Sequence, residues 1–216
     1  MSTPTTPSTP TTPPTPSTPP TPTTLRTETP DPAELLALRE IFGTRTDAAP
    51  PAGWEAVRAF EAEHEVTLPE PYRTFTAEIC GGLPAGPPHY GLLPLDEEPS
   101  DWGAGRARRV LSAPFPLTDQ WIWEEDGPED GETTAEFEAR TDEVCDRGSL
   151  LLGTDGCGMY WHLVLTGPRR GHVWMIDEFG AIPFGAPAGE TLMPGTPGFT
   201  GWAAHWARGE DWFEDN

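Results

Sequence analysis

LLGTDGCGMYWHLVLTG, Leu151 to Gly167, admits two readings, and the choice between them decides the fold. Asp155, Cys157 and His162 stand among glycines, and these are the residue types of a cysteine nucleophile with its base and orienter. The same glycines also suit a tight turn between two strands. Strand geometry separates the two. If residues 158–166 are extended, side chains alternate faces: Met159, Trp161, Leu163 and Leu165 form one apolar face, with Tyr160, His162, Val164 and Thr166 opposite. Cys157 lies an odd five residues from His162. An unbroken strand therefore sends the two to opposite faces, some 16 Å apart at roughly 3.3 Å per residue, whereas a nucleophile and its base must sit within about 3 Å. The stretch is a β-hairpin whose turn is GTDGCG.

Working outward, the neighbouring pieces have the same texture. GSLLLG, GHVWMID and GAIPF are short apolar runs between glycines, as in an antiparallel meander, and HYGLLPL before them resembles a first strand. PFPLTDQWIW, Pro114 to Trp123, is expected to be extended with exposed aromatics. Upstream the apolar period changes to helical. In TPDPAELLALREIFG, Asp31 suits the N-cap, Pro32 the first turn and Glu34 a capping box. Leu35, Leu38 and Phe42 follow at helical spacing. Trp54, Val57 and Phe60 share a face of a second helix, and Tyr72, Phe75 and Ile79 a face of a third that ends at Gly81-Gly82. FTGWAAHWARGEDWF closes the chain with Trp202 and Trp206 one turn apart. Helices, then strands, then one helix predict an α+β fold: N-terminal helices packed on a mainly antiparallel sheet, with a C-terminal helix.

Composition bounds what such a fold does. After Met1, residues 2–24 are only Thr, Pro and Ser, so residues 1–30 are expected to form a disordered tail, with neither the basic start nor the apolar run of a signal peptide. Residues 31–212 then suit a single domain with its own core. No apolar run approaches the roughly 18–20 residues that span a bilayer, so no membrane partner is expected. Three widely spaced cysteines argue against a disulfide framework and for a reducing cytoplasm. The net charge is −22, with 35 acids against 13 bases. All the bases are arginine, which excludes Schiff-base chemistry and a phosphate-loop lysine. Such a chain repels phosphate backbones, so nucleic acid is not an expected partner. Solubility explains the charge, as does a basic protein partner. Half of it falls in one segment: Asp119 to Asp146 holds twelve acids and one base, Arg140, most of them in an acidic insertion near 124–146.

No constellation of catalytic or ligand residues emerges. His64, His89, His162, His172 and His205 fall in no metal-ligand spacing, and no Cys-x-x-Cys pair is present, so neither a metal nor another cofactor is expected. His162 and His172 lie on adjacent strands and are expected to be hydrogen-bonded sheet residues. Asp177-Glu178 reads as a turn. An enzyme is not expected, and a small hydrolase using Cys157 or Asp177 and Glu178 is a remote alternative. Trp54, Trp161, Trp174, Trp202 and Trp206 sit in periodic patterns and belong to the core, whereas Trp102, Trp121, Trp123 and Trp212 lie in acidic or glycine-rich surroundings. Trp121 and Trp123, followed by Glu124, Glu125, Asp126, Glu129 and Asp130, combine aromatic anchors with charge as a protein contact patch does; the simpler reading of the two tryptophans is that they cover a sheet edge.

Leu68-Pro69-Glu70-Pro71-Tyr72-Arg73-Thr74-Phe75, ending in Gly81-Gly82, resembles the Leu-Pro-x-x-Tyr-x-x-Phe … Gly-Gly signature of the SUKH superfamily, the Smi/Knr-type proteins. Gly148 to Gly153, Tyr160 to Leu165 and Gly171 to Trp174 are similar to that family's central hairpins. Cys80 stands where Asn often precedes the two glycines, which puts local capping in question. The resemblance implies helices on an antiparallel sheet and a non-enzymatic binding role. For many bacterial members the resemblance implies neutralising a toxin domain by direct contact, here through the sheet face and the acidic loop; the alternative is a regulatory or scaffold protein with no toxin. A monomer or weak dimer binding a basic toxin domain in the cytoplasm is the resulting expectation.

Overall fold

The computed structural model describes residues 28–102, 108–185, 193 and 195–213. The Thr/Pro-rich segment expected to be a disordered tail lies almost wholly outside them. The central hairpin forms from β1 (Ser149–Gly156) and β2 (Met159–Val164). Its two-residue turn places Cys157 at φ 51° and Gly158 at φ 79°, the left-handed pair that matches the twist of the flanking strands. β3 (Val173–Ile176) and β4 (Ala181–Pro183) complete an antiparallel sheet in the order β1-β2-β3-β4. HYGLLPL does not become a strand. It runs beside β1 through Tyr90 N–H to Thr154 O and Leu93 N–H to Leu152 O, and makes one isolated bridge, Leu83 to Leu92. Pro87, Pro88 and Pro94 around it have no N–H to continue a ladder.

The alternation along β2 holds. Trp161, Leu163 and Leu165 join Leu150, Leu152, Val173 and Met175 in one buried cluster, with Met159 partly buried against it. Three N-terminal helices and the last helix cover this face: α1 (Pro32–Phe42), α2 (Gly53–His64), α3 (Tyr72–Glu78) and α6 (Phe199–Ala207). They contribute Leu38, Phe42, Val57, Phe60, Tyr72, Phe75 and Trp202, all among the core residues. Asp31 caps α1 by accepting Ala33 N–H at 2.8 Å, as expected. The reciprocal box assigned to Glu34 occurs instead at the start of α5 (Thr134–Asp146), between Thr133 and Glu136.

The opposite face is also buried. Leu151, Val164, Trp174, Ile176 and Ala181 form a second cluster with Trp102, Phe115, Trp123, Val144 and Cys145, the last two from α5. This corrects the expectation of exposed aromatics in Pro114 to Trp123: Phe115 is 2% and Trp123 8% exposed. Trp212 likewise joins the core side, its ring 4.6 Å from Trp161 and stacked 5.9 Å from Trp202.

Gly81 and Gly82 let the chain leaving α3 pair with residues before α2. Gly81 N–H donates to Ala49 O, and Gly82 O accepts Ala49 N–H. A Cβ on Gly81 would stand 2.2 Å from Pro50 O, a backbone atom that cannot yield. The question raised by Cys80 also resolves: its thiol donates to Gly82 O at 3.2 Å, and so supplies a local cap.

Tyr72, the tyrosine of the Leu-Pro motif, is 3% exposed, and burial pushes its hydroxyl up to about 12. In the unfolded chain the phenol ionises near 10. Between these values the unfolded state has lost a proton the folded state keeps, so stability falls as pH rises from about 10 to 12. The loss is on the order of 2–3 kcal/mol for a shift of this size. Tyr72→Phe should flatten that alkaline limb in urea titrations at stepped pH; an unchanged limb would mean Tyr72 does not govern it.

Candidate protein-binding surface

The elements around Trp121 to Asp146 build the charged edge of the molecule. Trp121 exchanges both backbone hydrogen bonds with Ala181 of β4, at 3.0 and 2.9 Å, and so adds one bridge beyond the last strand. The chain then turns into the short α4 (Trp123–Asp126). Trp123 points inward, and its indole N–H donates to Glu178 O at 2.7 Å. Glu124 N–H donates to Phe179 O. With Trp123 seated, Glu124, Glu125 and Asp126 are left on the exposed side, and Glu129 and Asp130 follow in the exposed turn before α5. The two tryptophans thus cover the sheet edge: Trp123 is buried and Trp121 half-buried, edge to face at 5.3 Å.

Arg140, the one base of the segment, is already engaged. Its guanidinium lies 4.2 Å from the Trp121 ring centroid, donates to both oxygens of Glu132 at 3.1 and 2.9 Å, and pairs with Glu129 at 3.0 Å. Arg140 therefore ties Glu129 to α5, while Glu124, Glu125, Asp126 and Asp130 take part in none of the ion pairs among the described residues. The Glu129 backbone N–H, and then Arg140, hold the Glu132 carboxyl below its usual range. The Thr133 backbone and hydroxyl do the same for Glu136. The turn before α5 thereby favours the ionised forms of Glu132 and Glu136.

Each residue of the opening stretch has a structural role. Asp155 accepts His89 N–H at 2.7 Å and the Trp161 indole N–H at 2.6 Å. Cys157 sits exposed in the turn, and Cys80, Cys145 and Cys157 form no disulfide. His162 is wholly buried, on the second face as its position in β2 requires, so it shares no surface with Cys157. Its Nδ1 lies 3.0 Å from Ser149 Oγ, a serine–histidine pair the sequence did not suggest, formed across β1 and β2. Ser149 is itself wholly buried, and Arg109 donates to its carbonyl at 2.6 Å. The pair is thus a hydrogen-bonded sheet histidine with its partner. Asp177 Oδ1 accepts the Phe179 and Gly180 N–H groups and closes a turn. His172 is half-buried just before β3; burial, then the nearby Arg169, lowers its proton affinity.

Because both sheet faces carry buried clusters, the expected contact through the sheet face does not apply: helices occupy one side, and Trp102, Phe115, Trp123 and α5 the other. The signal for α5 was present in the sequence as Thr133-Thr134-Ala135-Glu136, a capping-box pattern, ahead of Phe137 and Val144 at helical spacing. Its high acidity masked it.

The fold is α+β, with helices packed on an antiparallel meander and the motif tyrosine and phenylalanine of α3 at its core. The chain belongs to the SMI1/KNR4 family (SUKH-1), whose model matches residues 51–192. That family comprises protein-interaction and immunity-type domains that are generally non-catalytic. No curated protein and no solved structure matches the chain. Among the described residues no helix is long and apolar enough to cross a membrane.

Proposed function

We propose that this chain is a non-enzymatic immunity protein, one binding unit from Asp31 to Trp212, that neutralises a basic toxin domain in the cytoplasm through its α4–α5 edge. The observation that carries this is the charge there that no cation among the described residues pairs. Glu124, Glu125, Asp126 and Asp130 are exposed, and the segment's single arginine is engaged with Glu129, Glu132 and Trp121. Trp121 and Trp123 fix the backbone that presents these carboxylates, so the contact is preorganised. A basic surface of the kind nucleases need for phosphate is attracted to such an edge, rapidly and with strong salt dependence. A monomer or weak dimer suffices for this role.

Capture of partners on the immobilised full chain, washed with rising salt, tests the reading. The expected result is one basic domain, released as salt rises, whose toxicity on expression is relieved by co-expressing this chain. The same rescue should persist when residues 1–24 are deleted. Several unrelated partners, or binding that vanishes with that deletion, would instead identify a regulatory scaffold that recruits through the Thr/Pro segment. Cys157→Ser should leave rescue intact; loss of rescue would revive the hydrolase alternative.

A further inference from the structure

A second site lies at the C-terminal end of α2. Among the described residues, Glu63, His64 and Asp96 bring three ligand atoms within 4.8 Å of one another. His64 is the last residue of α2, and its ring is fixed against Phe60, with centroids 4.4 Å apart. The ring is only 12% exposed, and its Nε2 is shut off from solvent with no hydrogen bond. A buried imidazole nitrogen left without a hydrogen bond carries a desolvation cost that some ligand normally offsets. Nε2 faces Asp96 Oδ1 at 3.4 Å. Two ligands that each bind Zn²⁺ at about 2.0–2.1 Å in tetrahedral geometry stand roughly 3.4 Å apart, so this spacing suits a shared ion.

Glu63 supplies the third donor. Its carboxylate now pairs with Arg108 at 2.9 Å, but both side chains are largely exposed, 59% and 74%, and a surface pair of that kind holds weakly. One Glu63 carboxylate oxygen already lies within 4.8 Å of the ligand atoms of the other two. The negative end of the α2 dipole favours a cation at His64. Glu97 and Glu98 line the same cleft, of about 390 Å³, so its carboxylates outnumber Arg108 and Arg109, which also line it. One imidazole and two carboxylates with an open fourth position match a Zn²⁺-type donor set, whereas Ca²⁺ and Mg²⁺ prefer oxygen alone.

We infer that Glu63, His64 and Asp96 form a binding site for a first-row divalent transition metal, Zn²⁺ foremost, tying the turn at Asp96 to the end of α2. Spacing along the chain did not suggest it, because Asp96 joins Glu63 and His64 only through the fold.

The test uses the full chain with any affinity tag removed. Calorimetric titration with Zn²⁺ should give one ion per chain, and Co²⁺ as a probe should give visible d–d absorption. His64→Ala and Asp96→Asn should each weaken Zn²⁺ binding at least tenfold and abolish the Co²⁺ bands, while His89→Ala leaves both unchanged. Ca²⁺ at equal concentration should not displace Zn²⁺. Asp96 is exposed, so its variant keeps the fold, which a thermal melt without metal verifies. Absence of stoichiometric binding overturns the site, as does binding that survives both substitutions, which would place the metal elsewhere on the acidic surface. Equal displacement by Ca²⁺ overturns it too, since the imidazole would then not be a ligand.

Discussion

Trp161→Ala should destabilise the protein by about 3–5 kcal/mol, a large share of the stability typical of a domain this size. Trp161 is wholly buried at the centre of the helix-covered sheet face. Its ring lies 5.6 Å from Trp202, 4.6 Å from Trp212 and 6.3 Å from Phe184, so its removal opens a cavity that three large rings border. Its indole N–H also ties the hairpin end to Asp155. Truncation therefore loses transfer free energy, leaves a void that neighbouring rings cannot fill by rotating, and frees the turn. Trp161→Phe keeps most of the volume and should cost less than half as much, roughly 1–2 kcal/mol. Urea unfolding followed by far-UV circular dichroism measures both. An unfolding free energy for the alanine variant within about 1 kcal/mol of the parent would mean that the helices are not held by this face of the sheet.

The second large effect concerns binding rather than stability. Replacing Glu124, Glu125 and Asp126 together by Gln, Gln and Asn should slow association with the basic partner about tenfold at low salt and flatten its salt dependence. The three side chains are exposed, so folding stability should move by no more than about 0.5 kcal/mol. Dissociation should change less than association, because charges at an interface rim act mainly on encounter. Stopped-flow association across a salt series, with the captured partner, gives the answer. An unchanged rate in the triple variant would remove α4 from the contact surface. Arg140→Gln works in the opposite sense: it releases Glu129 and Glu132, which Arg140 now pairs, and should speed encounter, provided Trp121 keeps its place on β4.

How far the sequence carried these conclusions differs from element to element. Period-two alternation in Met159 to Leu165 was enough to assign two faces to β2, and the structure distributes those side chains as expected. It also disposed of the Cys157–His162 dyad, because parity within a strand is a local property of the backbone. The helices over the first face were legible for a similar reason: Leu38 and Phe42, Val57 and Phe60, and Tyr72 and Phe75 repeat at the helical period. The motif from Leu68 to Gly82 led to the family. HYGLLPL misled because apolar content alone suggests a strand, while flanking prolines withhold the hydrogen bonds a strand needs. The aromatics of Pro114 to Trp123 misled because burial depends on what packs above them, and that is the distant α5 and the turn at Asp177 to Gly180.

The sequence by itself determined the class of fold, the parity of the central hairpin, the three helices that seal one face and the concentration of charge between Asp119 and Asp146. All of these follow from periodicity and composition within a dozen or two neighbouring residues. Only the tertiary structure decided that the second sheet face is sealed, that Arg140 is occupied and, among the described residues, leaves the α4 carboxylates without an ion pair, that Ser149 meets His162, and that Asp96 meets His64. Each of these is a meeting of residues from separate segments. Such contacts depend on the angle at which elements cross and on which side chain wins a shared space, and no local pattern encodes either.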